Sequence, residues 1–466
     1  MNRRTFLKRT ITVALGAWLL GMIPFEKIAN TLFEANAASD TEPDVIIIGA
    51  GVAGLSAAYT LKQNGMKPLV LEARNRIGGR IWTDKQSFDK PLDLGATWIH
   101  GVTNNPITKL AKQQNIQILH VEEQDVVYNK LGKKMTEDHL DALEKKYDDL
   151  LEEVADIAEA ESDNPTFSLQ KAFDQVFRNH GFTKQELLEL NLMVHTNIEH
   201  EYAADLADLS PKLWNDDGEF GGVDAIFLKG YDQITSFLAK GLSIKTETIV
   251  REISLGEQVT VTTNRGVFTA DHVIVTVPLG VLKKGSIKFS PALPARKQQA
   301  ISQLGMGVLD KVYMQFPSVF WDKNADWMHY MAADRGSLPE FYNIYKYTKQ
   351  PILLGFNAGS FAKKAEKLAD KEVVLQMMST LKVMFGNKIP NPVRTKITRW
   401  SSDPYAYGSY SYNAVLTNAD DRDALAEPVG EQLFFAGEAT SADYFATVHG
   451  AYLTGIREAK RIIEIL

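Results

Sequence analysis

The chain has no cysteine among its 466 residues. That excludes disulfides, thiolate metal sites, a cysteine nucleophile and any cysteinyl bond to a cofactor. It also leaves the fold indifferent to an oxidising compartment. Basic charge is not in excess: 51 Lys and Arg against 58 Asp and Glu give −7. This argues against nucleic acid as a partner and mildly favours cationic ligands through long-range attraction. A membrane span takes about 20 apolar residues, and the run Ile11 to Phe25 stops at 15. The nine histidines show no H-E-x-x-H or comparable ligand spacing, so no metal site emerges. Nor is there a G-x-S-x-G hydrolase elbow. What is present, 45% hydrophobic and 23% charged residues, is a globular composition. The length suits two or three domains and a core large enough to enclose a ligand.

The N-terminus reads as a leader. Arg3 and Arg4 in "NRRTFLKRT" precede the apolar run, and "ANA" at 35–37 supplies a small-x-small cleavage site, which together describe a signal peptide. The RR-x-F-L-K arrangement resembles a bacterial twin-arginine signal, which carries folded proteins. The expectation is that residues 1–37 engage the twin-arginine export machinery and are removed, leaving an exported, periplasmic or secreted protein with no stable membrane span. An uncleaved N-terminal anchor is the alternative. Cutting after Ala37 removes five basic and two acidic residues and takes the charge from −7 to −10.

"DVIIIGAGVAGLSAAYTLKQNGMKPLVLEARNRIGGR" begins the ordered fold. Val45 to Ile48 form a continuous apolar run, as in a strand buried on both faces. Gly49, Gly51 and Gly54 follow in G-x-G-x-x-G spacing and open a helix of small residues that includes Ala53. A second strand ends at Glu72. The first glycine permits the tight turn, the second a close approach to a pyrophosphate, and the third close helix–strand packing. The helix N-terminus supplies free N–H groups, and Glu72 suits both ribose hydroxyls. The continuation Ala73, Arg74, Arg76, Gly78, Gly79 and Arg80 adds a second glycine pair and more phosphate-directed donors, a pattern closer to FAD than to nicotinamide enzymes. Near the C-terminus, Gly437 permits close approach and Glu438 suits a ribityl hydroxyl or bridging water. A helix opening near Thr447 and Val448 offers its positive end to a flavin edge, or merely closes the domain.

Together these pieces resemble the flavin amine oxidase superfamily, and within it the polyamine oxidase and lysine-specific demethylase branch. The resemblance also rests on "DLGATWIHG", "HVIVTVPLGVLK", "GMGVLDKVYMQFPSVFWD", "RWSSDPYAYGSYSY" and "FFAGEAT…TVHGAYLTG". It runs from Asp44 almost to Leu466. The demethylase's long helical insertion has no counterpart, so chromatin is not implied. The implied fold class is α/β, with a Rossmann-type FAD-binding domain from residues 44–105, 224–292 and 402–466. An interleaved α+β substrate-binding domain takes 106–223 and 293–401. FAD contacts are implied for the residues above and for Gly95, Ala96, Thr97, Trp98, Val250 and Trp400. Ser409 stands where covalently flavinylated relatives carry cysteine, so the FAD is expected to be non-covalent.

The implied chemistry is oxidation of an amine at the carbon next to nitrogen, with hydride passing to flavin N5, hydrolysis of the imine, and O2 reduced to H2O2. Lys311 lies in "GVLDKVYMQF", where Val312, Met314 and Phe316 alternate onto one face. Alternation alone leaves the lysine either wetting the outer face or pointing into a chamber, and the resemblance selects the chamber, beside a water at N5. Tyr410 is implied as an aromatic wall for the amine, with Thr447 replacing the second wall tyrosine of monoamine oxidases. His100 is implied to face the amine chain, and Asp216, Asp217 and Glu219 could supply charge at the mouth. The expected substrate is a polyamine. The alternatives are a monoamine or L-amino-acid oxidase, with Arg335, Arg394 or Arg399 receiving a carboxylate, an amine dehydrogenase using another acceptor, or a non-catalytic FAD-binding protein.

Overall fold

The computed structural model describes residues 42–121, 124–161, 164–332 and 340–466. The chain divides into Met1–Pro43 and Asp44–Leu466. The leader expected at 1–37 lies outside the described residues.

Two sheets set the architecture. The first is five-stranded and wholly parallel, in the order Leu433–Phe435, His272–Val275, Val45–Ile48, Pro68–Leu71, Ser243–Lys245. Val45–Ile48 sits at its centre with all four residues buried, which is why the strand reads as an unbroken apolar run. The helix Val52–Gln63 crosses one face, and the C-terminal helix Val448–Ile465 lies against it. They pack closely at Gly455, where a Cβ would fall 2.1 Å from the Ala53 carbonyl oxygen. The buried stripe of the C-terminal helix runs through Ala451, Gly455, Ala459 and Ile462, with Ile463 partly buried beside it.

The second sheet is six-stranded: Arg394–Ile397, Leu309–Gln315, Ile352–Ala358, Glu340–Asn343, Trp327–Tyr330, Asp125–Tyr128. Val312, Met314 and Phe316 pack with Val373, Met377 and Leu381 on one side. Leu309 and Tyr313 pack with Phe88, Tyr342 and Phe356 on the other. Both faces are covered, so the alternation in Leu309–Gln315 separates two cores rather than core from water. Every strand of the parallel sheet falls within 44–105, 224–292 or 402–466, and every strand of the six-stranded sheet within 106–223 or 293–401.

A third feature positions the site. The helix Lys184–Val194 opens with a capping box between Thr183 and Glu186 and continues as a π-helix, His195–His200. The extra residue per turn shifts the side chains that follow, a device often found at functional sites.

Candidate active site

The glycine turn is shaped as a phosphate cradle. Gly49 has φ +108°, and a Cβ on Gly54 would meet the Gly49 carbonyl oxygen at 2.0 Å. Gly51 begins the helix without a side-chain cap, and a Cβ there would meet nothing within 4 Å. The second glycine pair folds back onto this turn: Gly78 N–H donates to the Ala50 carbonyl at 2.8 Å, and Gly79 lies against Gly51. Above it, Arg76 spends Nη1 on the Ile77 and Gly79 carbonyls, while Nη2 is buried with no hydrogen-bond partner among the described residues. Burial, helped by Arg74, lowers its pKa to about 10. An open helix N-terminus beside an orphaned guanidinium N–H fits the pyrophosphate of a dinucleotide.

Several expected ligands are instead committed to protein. Glu72 is buried and accepts from Ala50 N–H at 2.7 Å and Arg74 N–H at 2.8 Å, so only its remaining lone pairs are left for a ribose. The Arg74 guanidinium, expected to reach a phosphate, forks onto Asp403 through two 2.8 Å bonds. Glu438, expected to meet a ribityl hydroxyl or water, accepts from Arg80, Ser411 and the Ala446 N–H. Burial opposes its charge, but Arg80, Ser411 and Arg422 outweigh that and hold its carboxyl below the usual range. Gly437 keeps φ +131° and open space around it, as a close approach requires. Val250 starts the strand Val250–Ser254, just after Lys245 and Thr248, which bond the Glu72 backbone.

Lys311 is 4% exposed, which removes the wet-face reading. Its Nζ donates to the carbonyls of Asp93 at 3.1 Å and Gly95 at 2.6 Å and to Thr97 Oγ1. Gly95 is obligatory in this curl, since a Cβ would lie 1.7 Å from the Arg80 carbonyl oxygen. Ala96 N–H bonds that same oxygen. Trp98 faces the ammonium at 5.4 Å and stacks on Trp327. Burial pushes the Lys311 pKa down to about 7, against the pull of Asp93. Burial also raises Asp93. Trp400 is buried edge-on to Trp82, with its backbone N–H donating to Asp310 at 3.0 Å.

Tyr410 is tied to the start of the same strand, because its carbonyl accepts from Gly307 N–H at 2.8 Å. Its hydroxyl donates to the His200 carbonyl at 3.1 Å, at the end of the π-helix. Burial, then Glu201 and Glu340, raise the phenol far above its ordinary range, so it stays protonated. Glu201 follows the π-helix. Water reaches it, yet enough protein surrounds it that lost hydration, with Asp224, Glu340 and Glu219, raises its pKa against the opposing His100. Asp217 accepts from Tyr202 and is raised to about 6 by burial, with Glu201 and Glu219 adding to it.

The remaining expectations sort cleanly. His100 is 57% exposed and bonded to Asp224 at 2.9 Å, so it stands at the rim rather than inside. Asp216 is exposed, and Asp217 is the carboxylate of that loop that reaches Tyr202. Glu219 is exposed but contributes to the field on Glu201. The loop is docked by Phe220 stacking on Tyr444 at 4.9 Å, next to Thr447. Thr447 caps the C-terminal helix by accepting from Gly450 N–H at 2.9 Å, so its hydroxyl is occupied, and Val448 is the first helical residue. Arg394 pairs with Asp89, and Arg399 with Asp370 and two carbonyls. Arg335 lies outside the described residues. Glu201, Asp224 and the buried pair His200–Glu340, 2.5 Å apart, were not singled out from sequence. The run "EHE" inside a helical segment was the available signal.

The family model described as "Flavin containing amine oxidoreductase" matches residues 52–463. A rice protein named "Polyamine oxidase 4" is 37% identical over 442 residues, covering 90% of this chain and 89% of its own. An Arabidopsis "Lysine-specific histone demethylase 1 homolog 2" is 38% identical over 91% of this chain, but the chain spans 59% of that relative; for the rice homolog 1 the share is 52%. The structure of a putrescine oxidase bound to putrescine superposes with a TM-score of 0.76 at 22% identity, over 91% of this chain and 99% of that one, a likeness of fold.

Proposed function

This chain belongs to the flavin containing amine oxidoreductase family, and on that premise we propose that it is an FAD-dependent oxidase of polyamines. FAD, when bound, supplies the two-electron acceptor for the carbon next to nitrogen and passes the electrons on to O2. The Gly49–Gly54 turn, Arg76 and the open backbone at Gly437 are the groups that would hold it, without a covalent link.

The observation that carries the substrate class is the carboxylate ring Glu201, Asp217, Glu219 and Asp224, next to Tyr410. Burial, with neighbouring carboxylates adding to it, raises the Glu201 and Asp217 carboxyls. Asp224 is instead held below the usual range, against burial, by its bonds to His100 and the Gly101 N–H. A guest with more than one ammonium relieves the repulsion on Glu201 and Asp217. A protonated amine has no lone pair with which to expel hydride, so the reacting nitrogen must be neutral while a distal one stays charged. Tyr410 offers its ring to the amine while His200 fixes its hydroxyl. The aromatic set Trp98, Trp327 and Tyr342 excludes water around Lys311. An amino-acid oxidase would need a free cation; of the candidates, Arg394 and Arg399 are committed elsewhere and Arg335 lies outside the described residues.

The test is to supply spermidine, spermine, putrescine, tyramine and L-amino acids in air and to assay peroxide and aldehyde. Peroxide and an amino-aldehyde from the polyamines support the reading. Aldehyde without peroxide identifies a dehydrogenase, and turnover of amino acids alone overturns the substrate class.

The domain reading given above, with an FAD half and a substrate half, draws support from the sorting of strands between the two sheets. Export by the twin-arginine route is proposed from Arg3, Arg4, the apolar run and "ANA". Cell fractionation with N-terminal sequencing should find a chain starting at Ala38 outside the cytoplasm, and Arg3→Lys with Arg4→Lys should retain it inside.

A further inference from the structure

The turn from Thr398 to Ser402 is held from two sides by carboxyl groups. From the six-stranded sheet, Asp310 Oδ1 accepts from Thr398 Oγ1 at 2.8 Å and from the Trp400 N–H at 3.0 Å. From the other side comes Glu366, the C-terminal cap of the helix Gly359–Ala365. It accepts from the Ser401 N–H at 2.6 Å, the Ser402 N–H at 2.8 Å and the Ser402 hydroxyl. Three successive amides of one turn thus converge on two acids, and the acids are drawn together. Asp310 is 2% exposed, and its second oxygen, Oδ2, is buried with no hydrogen-bond partner among the described residues. Asn357, directly across on the neighbouring strand, presents an unpartnered oxygen as well. A buried acceptor that faces a second carboxylate is satisfied by one shared proton.

We propose that Asp310 keeps a proton on Oδ2 and donates it to Glu366, so that one hydrogen latches the turn between sheet and helix and positions Trp400. Burial, with Glu366 beside it, raises the Asp310 carboxyl well above its usual range, in keeping with that assignment. Glu366 is the accepting side because it is half-buried and met by three donors, whereas Asp310 is buried with one oxygen bare. Trp400 in turn bounds the curl around Lys311: a Cβ on Gly95 would fall 3.5 Å from Trp400 Cζ2. Asp403, just past the turn, forks onto Arg74 beside the nucleotide cradle. Loss of the shared proton sets two carboxylates face to face and slackens the turn where cradle and Lys311 wall meet. The other charged groups nearby are engaged: Arg399 bonds the Glu366 and Leu368 carbonyls and pairs with Asp370, and Lys311 turns its amine to the opposite face of the strand. The inference rests on the flavin-enzyme reading only for what Trp400 faces.

The test uses the full chain labelled with 13C-aspartate, with and without FAD and without substrate. The Asp310 Cγ resonance is assigned by its loss in Asp310→Asn, and at pH 7 it should report a protonated carboxyl. Glu366→Gln should lower its proton affinity about tenfold or more, as expected for removing a like charge from a shared site. FAD release, followed by flavin fluorescence, should quicken in wild type as pH rises through the same midpoint. It should stay slow throughout in Asp310→Asn, whose amide donates at every pH. An ionised Asp310 at pH 7, a midpoint unmoved by Glu366→Gln, or FAD release with the same pH dependence in wild type and Asp310→Asn overturns the proposal. The resonance is read without any amine and also without FAD, so a failure of the polyamine reading leaves this result standing.

Discussion

Arg80 and Glu438 lie 358 positions apart in the chain, and their side chains meet at 2.7 Å. The pair joins the second glycine turn of the nucleotide cradle to the loop that leads into the C-terminal helix. Arg80 also holds the Ser409 carbonyl, one residue before Tyr410.

Breaking that pair should cost more than replacing it. Removing one partner of a buried pair leaves an uncompensated charge, a loss of about 3–5 kcal/mol, whereas apolar replacement of both is often near neutral. Arg80→Ala should therefore unfold at markedly lower denaturant than wild type, and Arg80→Met with Glu438→Met should recover part of the loss. Urea denaturation curves decide this.

Glu201→Gln should weaken cationic substrates selectively. A charge-assisted contact of about 1.5–3 kcal/mol corresponds to a rise in KM of about 10- to 100-fold, with kcat changed far less. Steady-state kinetics with spermidine and with an uncharged-tail amine check it, and only the former should respond.

Lys311 should leave a signature in the pH dependence of stability. Its folded pKa is pushed below the ordinary lysine value, to about 7, so the unfolded chain binds more protons between there and about 10.5. Stability contributed by this group therefore rises with pH across that window. Lys311→Met should lose that slope, keep the yellow colour of bound flavin and turn over far more slowly. Unfolding curves collected from pH 7 to 10 check the slope.

Asp310 behaves in the opposite sense. Burial and the neighbouring Glu366 raise its carboxyl well above the usual range, so its favourable contribution is present at low pH and fades as pH rises through the folded value. Asp310→Asn keeps an acceptor for Thr398 Oγ1 and Trp400 N–H and should flatten that decline. Melting temperatures at pH 5 and pH 8 should differ less in the variant.

The local parts of the site were legible in sequence and the long-range parts were not. Gly49 and Gly54 are demanded by backbone geometry, and Gly51 leaves the helix N-terminus open between them, all within six residues, so spacing revealed them. Arg74 and Glu438 carry the chemistry of ligand contacts, but their partners Asp403 and Arg80 lie more than 300 positions away, beyond any local pattern. Lys311 was undecidable by alternation because a sheet covered on both faces has no wet side to betray it. Glu201 was missed because the carboxylates that act on it, Glu219, Asp224 and Glu340, come from other segments of the chain.

The most direct measurement is anaerobic mixing of the purified yellow protein with spermidine, tyramine and L-amino acids while the flavin absorbance is followed. The account predicts rapid bleaching by spermidine, slowed strongly in Glu201→Gln, and return of colour when air is admitted. Bleaching by amino acids alone, or by no amine, would contradict it.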